Sequence, residues 1–189
     1  VYKRQEYYLS YWVKFADDFD FDGTEYATGK LPGLGGAGGL CVGGTNGFQP
    51  CTGDNGFSAR YFWREDGRAV LNLKHMDIPT SNKWTPDLRL VDSDGNDKYF
   101  IPGQWHHLIQ RVRINHGNQA NGEVEVWMDG EQVLSVEGYR FVNNNRGIDN
   151  LYFNTFHGGS EDARWWPDHT VYSYWDDFVV STNPADVGL

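Results

Sequence analysis

The sequence predicts an all-β fold, a two-sheet antiparallel sandwich of the jelly-roll type, with residues 1–189 forming one domain. Three observations predict it. Apolar and polar residues alternate with period two in short runs, and no stretch carries a sustained helical period. Turn-forming residues separate those runs at short spacing, with 23 glycines and 7 prolines in 189 residues. Aromatic residues reach 16%, with 8 Trp, 11 Tyr and 11 Phe, too rich for a disordered chain. A chain of this length hides enough surface on folding to build a sizeable core.

The elements follow in order. Gln5–Phe15 reads as an aromatic-rich strand, followed by Asp17–Asp22, where acids alternate with Phe. Gly29–Gly56 holds eleven glycines and reads as one long loop, of the kind that in compact domains is usually functional. Strands are expected at Phe57–Arg64, Ala69–His75, Lys98–Ile101, Trp105–Asn115, Glu123–Asp129, Gln132–Glu137, Leu151–His157 and Tyr172–Val180. Asp129-Gly130, between two strand patterns, signals a hairpin turn.

The hairpin of Phe57–Arg64 and Ala69–His75 allows two registers. A two-residue Asp-Gly turn pairs Ser58 with His75. A three-residue Glu65-Asp66-Gly67 loop, with Gly67 left-handed, pairs Ser58 with Lys74, Arg60 with Asn72 and Phe62 with Val70. Only the second puts Ala59, Tyr61, Trp63, Ala69, Leu71 and Leu73 together on an apolar face, and a buried face selects it. The opposite face then carries Ser58, Arg60, Asn72 and Lys74, two cations without an acid in a protein of net charge −10. Trp105–Asn115 adds a second polar set, with His107, Arg111, Arg113 and Asn115 on one side and Leu108, Val112 and Ile114 on the other. These residue types together predict a concave anion-binding groove.

Charge and hydropathy narrow the function. Lys and Arg number 16 against 26 Asp and Glu, which argues against a general nucleic-acid binder. No apolar run approaches the roughly 20 residues that span a membrane. Cys41 and Cys51 flank a stretch rich in Gly and Asn, where a disulfide would supply order. That pairing suits an exported, extracellular protein. Val1 is not an initiator Met and no leader is visible, so a mature form or excised domain is expected. No cofactor motif is present. Asp92–Asp97 lacks the glycine placement and distal Glu of a calcium loop and reads as an acidic turn. Oligomeric state is not legible.

Several segments, taken together, resemble a known family. They are Gly29-Lys30-Leu31-Pro32-Gly33-Leu34, then Phe57-Ser58-Ala59-Arg60 leading into Trp63-Arg64-x-x-Gly67. Gly103-x-Trp105 opens the long strand ending at Asn115. Asn154-Thr155-Phe156-His157-Gly158-Gly159-Ser160 precedes Asp176-Asp177-Phe178. In order and spacing they resemble polysaccharide lyase family 14 and the related glucuronan lyases of family 20. The resemblance implies a β-jelly roll that cleaves an acidic polysaccharide such as alginate or glucuronan by β-elimination. It matches Lys30 to the catalytic lysine and Ser58 and Arg60 to a substrate-contacting pair.

One strand departs from that pattern. Where the family commonly carries Y-x-Y-H, this chain has Asn72-Leu73-Lys74-His75. Three readings stay open. Asn72 contacts the carboxylate while Lys74 or His75 handles protons. Alternatively a tyrosine from elsewhere substitutes, with Tyr152, Tyr172 and Tyr174 as candidates. Or the chain binds a polyuronate without cleaving it, as a carbohydrate-binding module. Arg111, His157 and Trp166 complete the expected substrate contacts. A jelly-roll glycosidase is the rival enzyme class, but no recognisable pair of carboxylic residues stands out, although Glu123 and Glu125 share a strand face.

Overall fold

In the computed structural model, residues 5–38, 41, 50–78, 85–143, 146–158 and 162–189 are described. Among them eleven strands run in chain order: β1 (Glu6–Phe15), β2 (Gly29–Gly36), β3 (Phe57–Trp63), β4 (Ala69–Lys74), β5 (Asp87–Arg89), β6 (Trp105–Arg113), β7 (Gly122–Met128), β8 (Glu131–Tyr139), β9 (Ile148–Tyr152), β10 (Phe156–His157) and β11 (Ser173–Ser181). They form two antiparallel sheets. The back sheet has the order β11-β1-β6-β7-β8. The front sheet has the order β10-β2-β3-β4-β5, and β9 pairs with the same edge of β2 as β10 does. Among the described residues no α-helix occurs, only short 3-10 turns.

The core lies between the sheets because each strand puts its odd or even set inward. β1 buries Leu9, Tyr11, Val13 and Phe15, β3 buries Ala59, Tyr61 and Trp63, and β6 buries Leu108 and Val112. Phe15 is the hub of an aromatic cluster, in contact with Phe19, Phe21, Trp63 and Phe100 at ring centroids 4.6–5.6 Å apart. The alternation of Asp17–Asp22 therefore marks a loop that dips two phenylalanines into the core. A second small cluster of Tyr8, Ile109 and Val187 forms where the C-terminal turn, Pro184–Val187, covers the back sheet.

The β3–β4 hairpin adopts the three-residue register: Ser58 pairs with Lys74, Arg60 with Asn72 and Phe62 with Val70. Gly67 has φ 80° as expected, and Asp66 is also left-handed at φ 57°. Asp129 and Gly130 both have positive φ, at 56° and 84°, which is the backbone of a type I′ turn joining β7 to β8.

Three expectations are corrected. Gly29–Gly36 is a strand in the middle of the front sheet, not part of a loop. Its glycines are there because neighbours come too close for a side chain. A Cβ on Gly29 would fall 1.7 Å from the Trp63 ring, and one on Gly33 would fall 2.0 Å from the Ala59 carbonyl oxygen. Lys98–Ile101 is not a strand and contributes only a bridge between Tyr99 and Arg68. There the chain crosses the end of the sandwich, plants Phe100 in the core, and turns at Gly103 with φ 78°. Leu151–His157 is two strands, β9 and β10, interrupted at 153–155. The interruption faces a register shift in β2 between Lys30 and Gly33. It frees Phe153 to pack against Trp175 and Phe178 at the sandwich edge.

Two inward polar groups hold the front sheet in place. Gln110, fully buried on β6, accepts from Leu34 N–H and donates to the Ala59 carbonyl, both at 3.0 Å. Tyr11 Oη donates to the Pro32 carbonyl at 3.1 Å, inside the β2 irregularity. Cys41 and Cys51 form a disulfide with Cα atoms 5.4 Å apart.

Candidate active site

The outer face of the front sheet carries three registered rows. They read Phe156–Lys30–Phe62, then Tyr152–Gly33–Arg60–Asn72–Asp87, then Asn150–Gly35–Ser58–Lys74. Partners directly opposite in an antiparallel sheet point to the same side, so each row is a line of neighbouring side chains. Ser58, Arg60, Asn72 and Lys74 thus share one face, as the sequence predicts, and Lys30 joins them from β2. The glycines between Tyr152 and Arg60, and between Asn150 and Ser58, leave open space in the middle of the face.

Arg60 is 4% exposed. One of its terminal nitrogens, Nη2, donates to the Asn154 carbonyl at 2.9 Å, a group released by the break between β9 and β10. Its Nε is buried and has no hydrogen-bond partner among the described residues. The guanidinium lies 4.5 Å from the centre of the Tyr152 ring. Burial lowers its pKa to about 10.

Lys30 sits between two rings, with Nζ 4.4 Å from the Phe156 centroid and 5.2 Å from that of Phe62. Nζ also donates to the Gly158 carbonyl. Burial, followed by repulsion from Arg60, Arg64 and Lys74, brings its pKa down to about 7. Lys74 is shifted the same way by burial and by Arg60. A lysine in this setting can exist as a neutral amine near neutral pH, which is the condition for a general base.

Two residues that the sequence reading did not single out shape the edge of the site. Arg64 continues the Ser58, Arg60, Phe62 alternation, which is the signal that could have found it. It makes a two-pronged ion pair with Asp87, Nε–Oδ2 2.6 Å and Nη2–Oδ1 2.8 Å, and donates to Thr28 Oγ1. Asp87 in turn lies 3.4 Å from Asn72 Nδ2, which is also 3.4 Å from the Thr85 carbonyl oxygen. Asn72 therefore directs its N–H groups toward β5. The sequence expects Asn72 to contact the substrate carboxylate; in the structure its amide hydrogens turn toward β5.

Four more expected residues fall elsewhere. His75 packs edge-on against Tyr139 of the back sheet at 4.6 Å and accepts from Asp77 N–H, so it lies off the Lys30–Arg60 face and is not positioned for catalysis there. The reason is alternation: it follows Lys74 and turns to the other side. Arg111 is on the outer surface of the back sheet, paired with Glu6, Glu123 and Glu125. Its strand alternates as expected, but in the opposite sheet. His157 is one position past Phe156 and so faces inward, stacked on Phe19 at 5.2 Å with Nε2 against the Asp20 carbonyl at 2.6 Å. Trp166 is exposed beyond the rows, next to Trp165. Trp165 packs on Tyr26 at 4.8 Å and, with Arg64 and Glu65, helps line a cleft of about 520 Å³ beyond the Arg64 end of the face.

Of the three candidate tyrosines, only Tyr152 is in these rows. Tyr174 is exposed on the back sheet near Lys14, and Tyr172 is exposed just before β11. The Asp92–Asp97 turn is closed by its own Asp92, whose carboxylate accepts from the Asp94 and Asn96 N–H groups.

Fold and site together define a β-sandwich with a cationic, glycine-floored face in an acidic protein. Such a face is built for an anionic polymer. The sequence model of the family Polysaccharide lyase 14 matches residues 2–178, and the chain belongs to that family. It is a polysaccharide lyase. Its structure is similar to that of the marine PL-14 alginate lyase from Aplysia kurodai, with TM-score 0.74, 27% identity, and coverage of 97% of this chain and 72% of that one. It is also similar to alginate lyase Aly36B, at TM-score 0.71, 26% identity and coverage of 94% and 69%. A fungal endo-β-1,4-glucuronan lyase from Trichoderma reesei shares the fold at TM-score 0.58 and 16% identity, with coverage of 99% and 73%. No curated protein sequence matches the chain.

Proposed function

We propose that this lyase cleaves a polyuronate, alginate or glucuronan, by β-elimination on the Lys30–Arg60 face. The observation that carries the reading is the half-buried Lys30, held next to Arg60 and between two aromatic rings on a cationic face. The two alginate lyases similar above 25% identity favour alginate. An Aly36B variant with a lysine and a tyrosine replaced by alanine was solved with an alginate tetrasaccharide, which fits a lysine–tyrosine pair near the substrate.

The chemistry runs as follows. A uronate carboxylate lies against the Arg60 guanidinium, which supplies the positive charge and charge-assisted hydrogen bonding. Withdrawal of charge toward Arg60 makes the C5 proton more acidic and stabilises the anion that forms when it leaves. Neutral Lys30 takes that proton and becomes an ammonium. The C5–H electron pair becomes the C4–C5 double bond, and the C4–O bond breaks. Tyr152 gives its hydroxyl proton to the departing glycosidic oxygen, and the nearby Arg60 guanidinium stabilises the phenolate. Solvent exchange resets both groups. Lys74 and Ser58, one row away, hold the neighbouring sugar. The disulfide supports work in an oxidising, extracellular setting.

The test is turnover on polymannuronate, polyguluronate and glucuronan, followed by the ultraviolet absorbance of the unsaturated product. Wild type is expected to produce signal on at least one polymer and Lys30→Ala to lose it. No signal on any polymer, with polyuronate binding intact, would identify a binding module instead.

A further inference from the structure

This inference rests on the lyase reading of the same face and concerns which form of the polymer it accepts. Asn72 is 6% exposed and stands in register beside Arg60. Its Nδ2 is 3.4 Å from the Thr85 carbonyl oxygen and 3.4 Å from Asp87 Oδ1. Both contacts are long, and their importance is the polarity they impose. Each neighbour offers an oxygen, and the Asp87 oxygens take two bonds from Arg64. Turned over, the amide would set its own oxygen against those two oxygens. The amide orientation is therefore chosen by the chemistry around it.

The consequence is an unfilled acceptor. Both amide hydrogens are directed toward β5, and Oδ1 accepts no hydrogen bond among the described residues. Asn72 Oδ1 is not among the buried atoms sealed from solvent, so a ligand hydroxyl can take the place of water on it. Beside Asn72 in register stands the Arg60 guanidinium. A guanidinium cation next to an open acceptor matches a ligand that carries an anionic oxygen and a hydroxyl close together. A uronate residue has both.

We infer that Asn72 Oδ1 accepts a hydrogen bond from a ring hydroxyl of the uronate bound at Arg60, so the enzyme selects polymer in which that hydroxyl is free. O-Acetylation removes the donor and puts an ester, which only accepts, against the amide oxygen. A tyrosine hydroxyl, present here in the resembling family, can donate as well as accept and would not impose this polarity. Asn72 is thus a specificity-determining residue on the strand that departs from the Y-x-Y-H pattern.

The experiment compares one polymannuronate in its O-acetylated and deacetylated forms. Both kcat/KM and direct binding by calorimetry are measured for wild type, Asn72→Leu and Asn72→Ala. Wild type should prefer the deacetylated polymer by about tenfold or more, because a site built to bond a hydroxyl rejects an analogue lacking it. Asn72→Leu keeps the bulk and removes the acceptor, so the preference should collapse mainly through loss on the deacetylated form. Asn72→Ala, should the leucine variant not fold, is expected to lose the same preference. A wild-type ratio near one, or a ratio unchanged in either folded variant, overturns the inference. If no unsaturated product forms but calorimetry shows the expected ratio, the lyase reading fails and the hydroxyl selection stands.

Discussion

Lys30 is the residue on which the chemistry turns, and its burial has opposite consequences for activity and stability. Below pH 7 it is protonated in folded and unfolded chains alike, and the fold bears the cost of a half-buried charge. From about pH 7, its folded value, to about 10.4, the usual lysine value, the folded chain has shed the proton while the unfolded chain keeps it. This group's contribution to stability therefore rises with pH across that window. Lys30→Met should be more stable than wild type at pH 6, with the advantage shrinking toward pH 10 in denaturant titrations. Turnover should move the other way, with a loss of about 10²–10⁴-fold for removal of a general base. Tyr152→Phe should lose kcat by a similar factor while leaving KM nearly unchanged. Lys74→Ala should mainly raise KM, because Lys74 lies a row away from Arg60 on the side opposite Lys30. A large kcat loss in Lys74→Ala with none in Tyr152→Phe would reassign the proton donor.

At the scale of elements, the site depends on β2 lying flat against β3. A side chain at Gly33 would meet the Ala59 carbonyl oxygen and the Arg60 Cα. Gly33→Ala should cost about 1–3 kcal/mol through overpacking. A fall in Tm of several degrees, with loss of turnover, would be read by thermal unfolding and the product assay. Sequence reasoning found the β3–β4 register, because a one-residue slip would have exposed a complete apolar face. It missed β2, because glycine is depleted in strands and eleven in one stretch look like a loop. The reason for those glycines is tertiary: the Trp63 ring and the β3 backbone press on them. The short β5 was missed as well. It pairs with β4, and the ion pair of Arg64 with Asp87, residues 23 apart in the chain, ties it to β3 as well.

For the whole molecule, charge is partitioned. A protein of net charge −10 keeps Lys30, Arg60, Arg64 and Lys74 on one face, with Asp87 engaged by Arg64. The field over that face attracts a polyanion and weakens with salt. KM for a polyuronate should therefore rise steeply between low salt and 0.5 M NaCl while kcat changes little; a KM independent of salt would argue against the cationic face as the binding surface. Reduction of the Cys41–Cys51 bond should lower stability by about 3 kcal/mol, from the entropy regained by a loop of this size. The polarity of the face was legible in the alternation of β3 and β4. The placement of Arg111 was not, because alternation tells which side of a strand a residue takes but not which sheet the strand joins. His157 and His75 were misplaced for a related reason: each is one position from a residue that does reach the site.

The most direct test of the account is the pH dependence of kcat/KM on the preferred polyuronate, since that ratio reports the ionisation of the free enzyme. A neutral Lys30 base predicts a loss of activity on the acid side with an apparent pKa near 7, absent from the residual activity of Lys30→Ala. A flat profile between pH 6 and 9, or the same acid limb in Lys30→Ala, would contradict it.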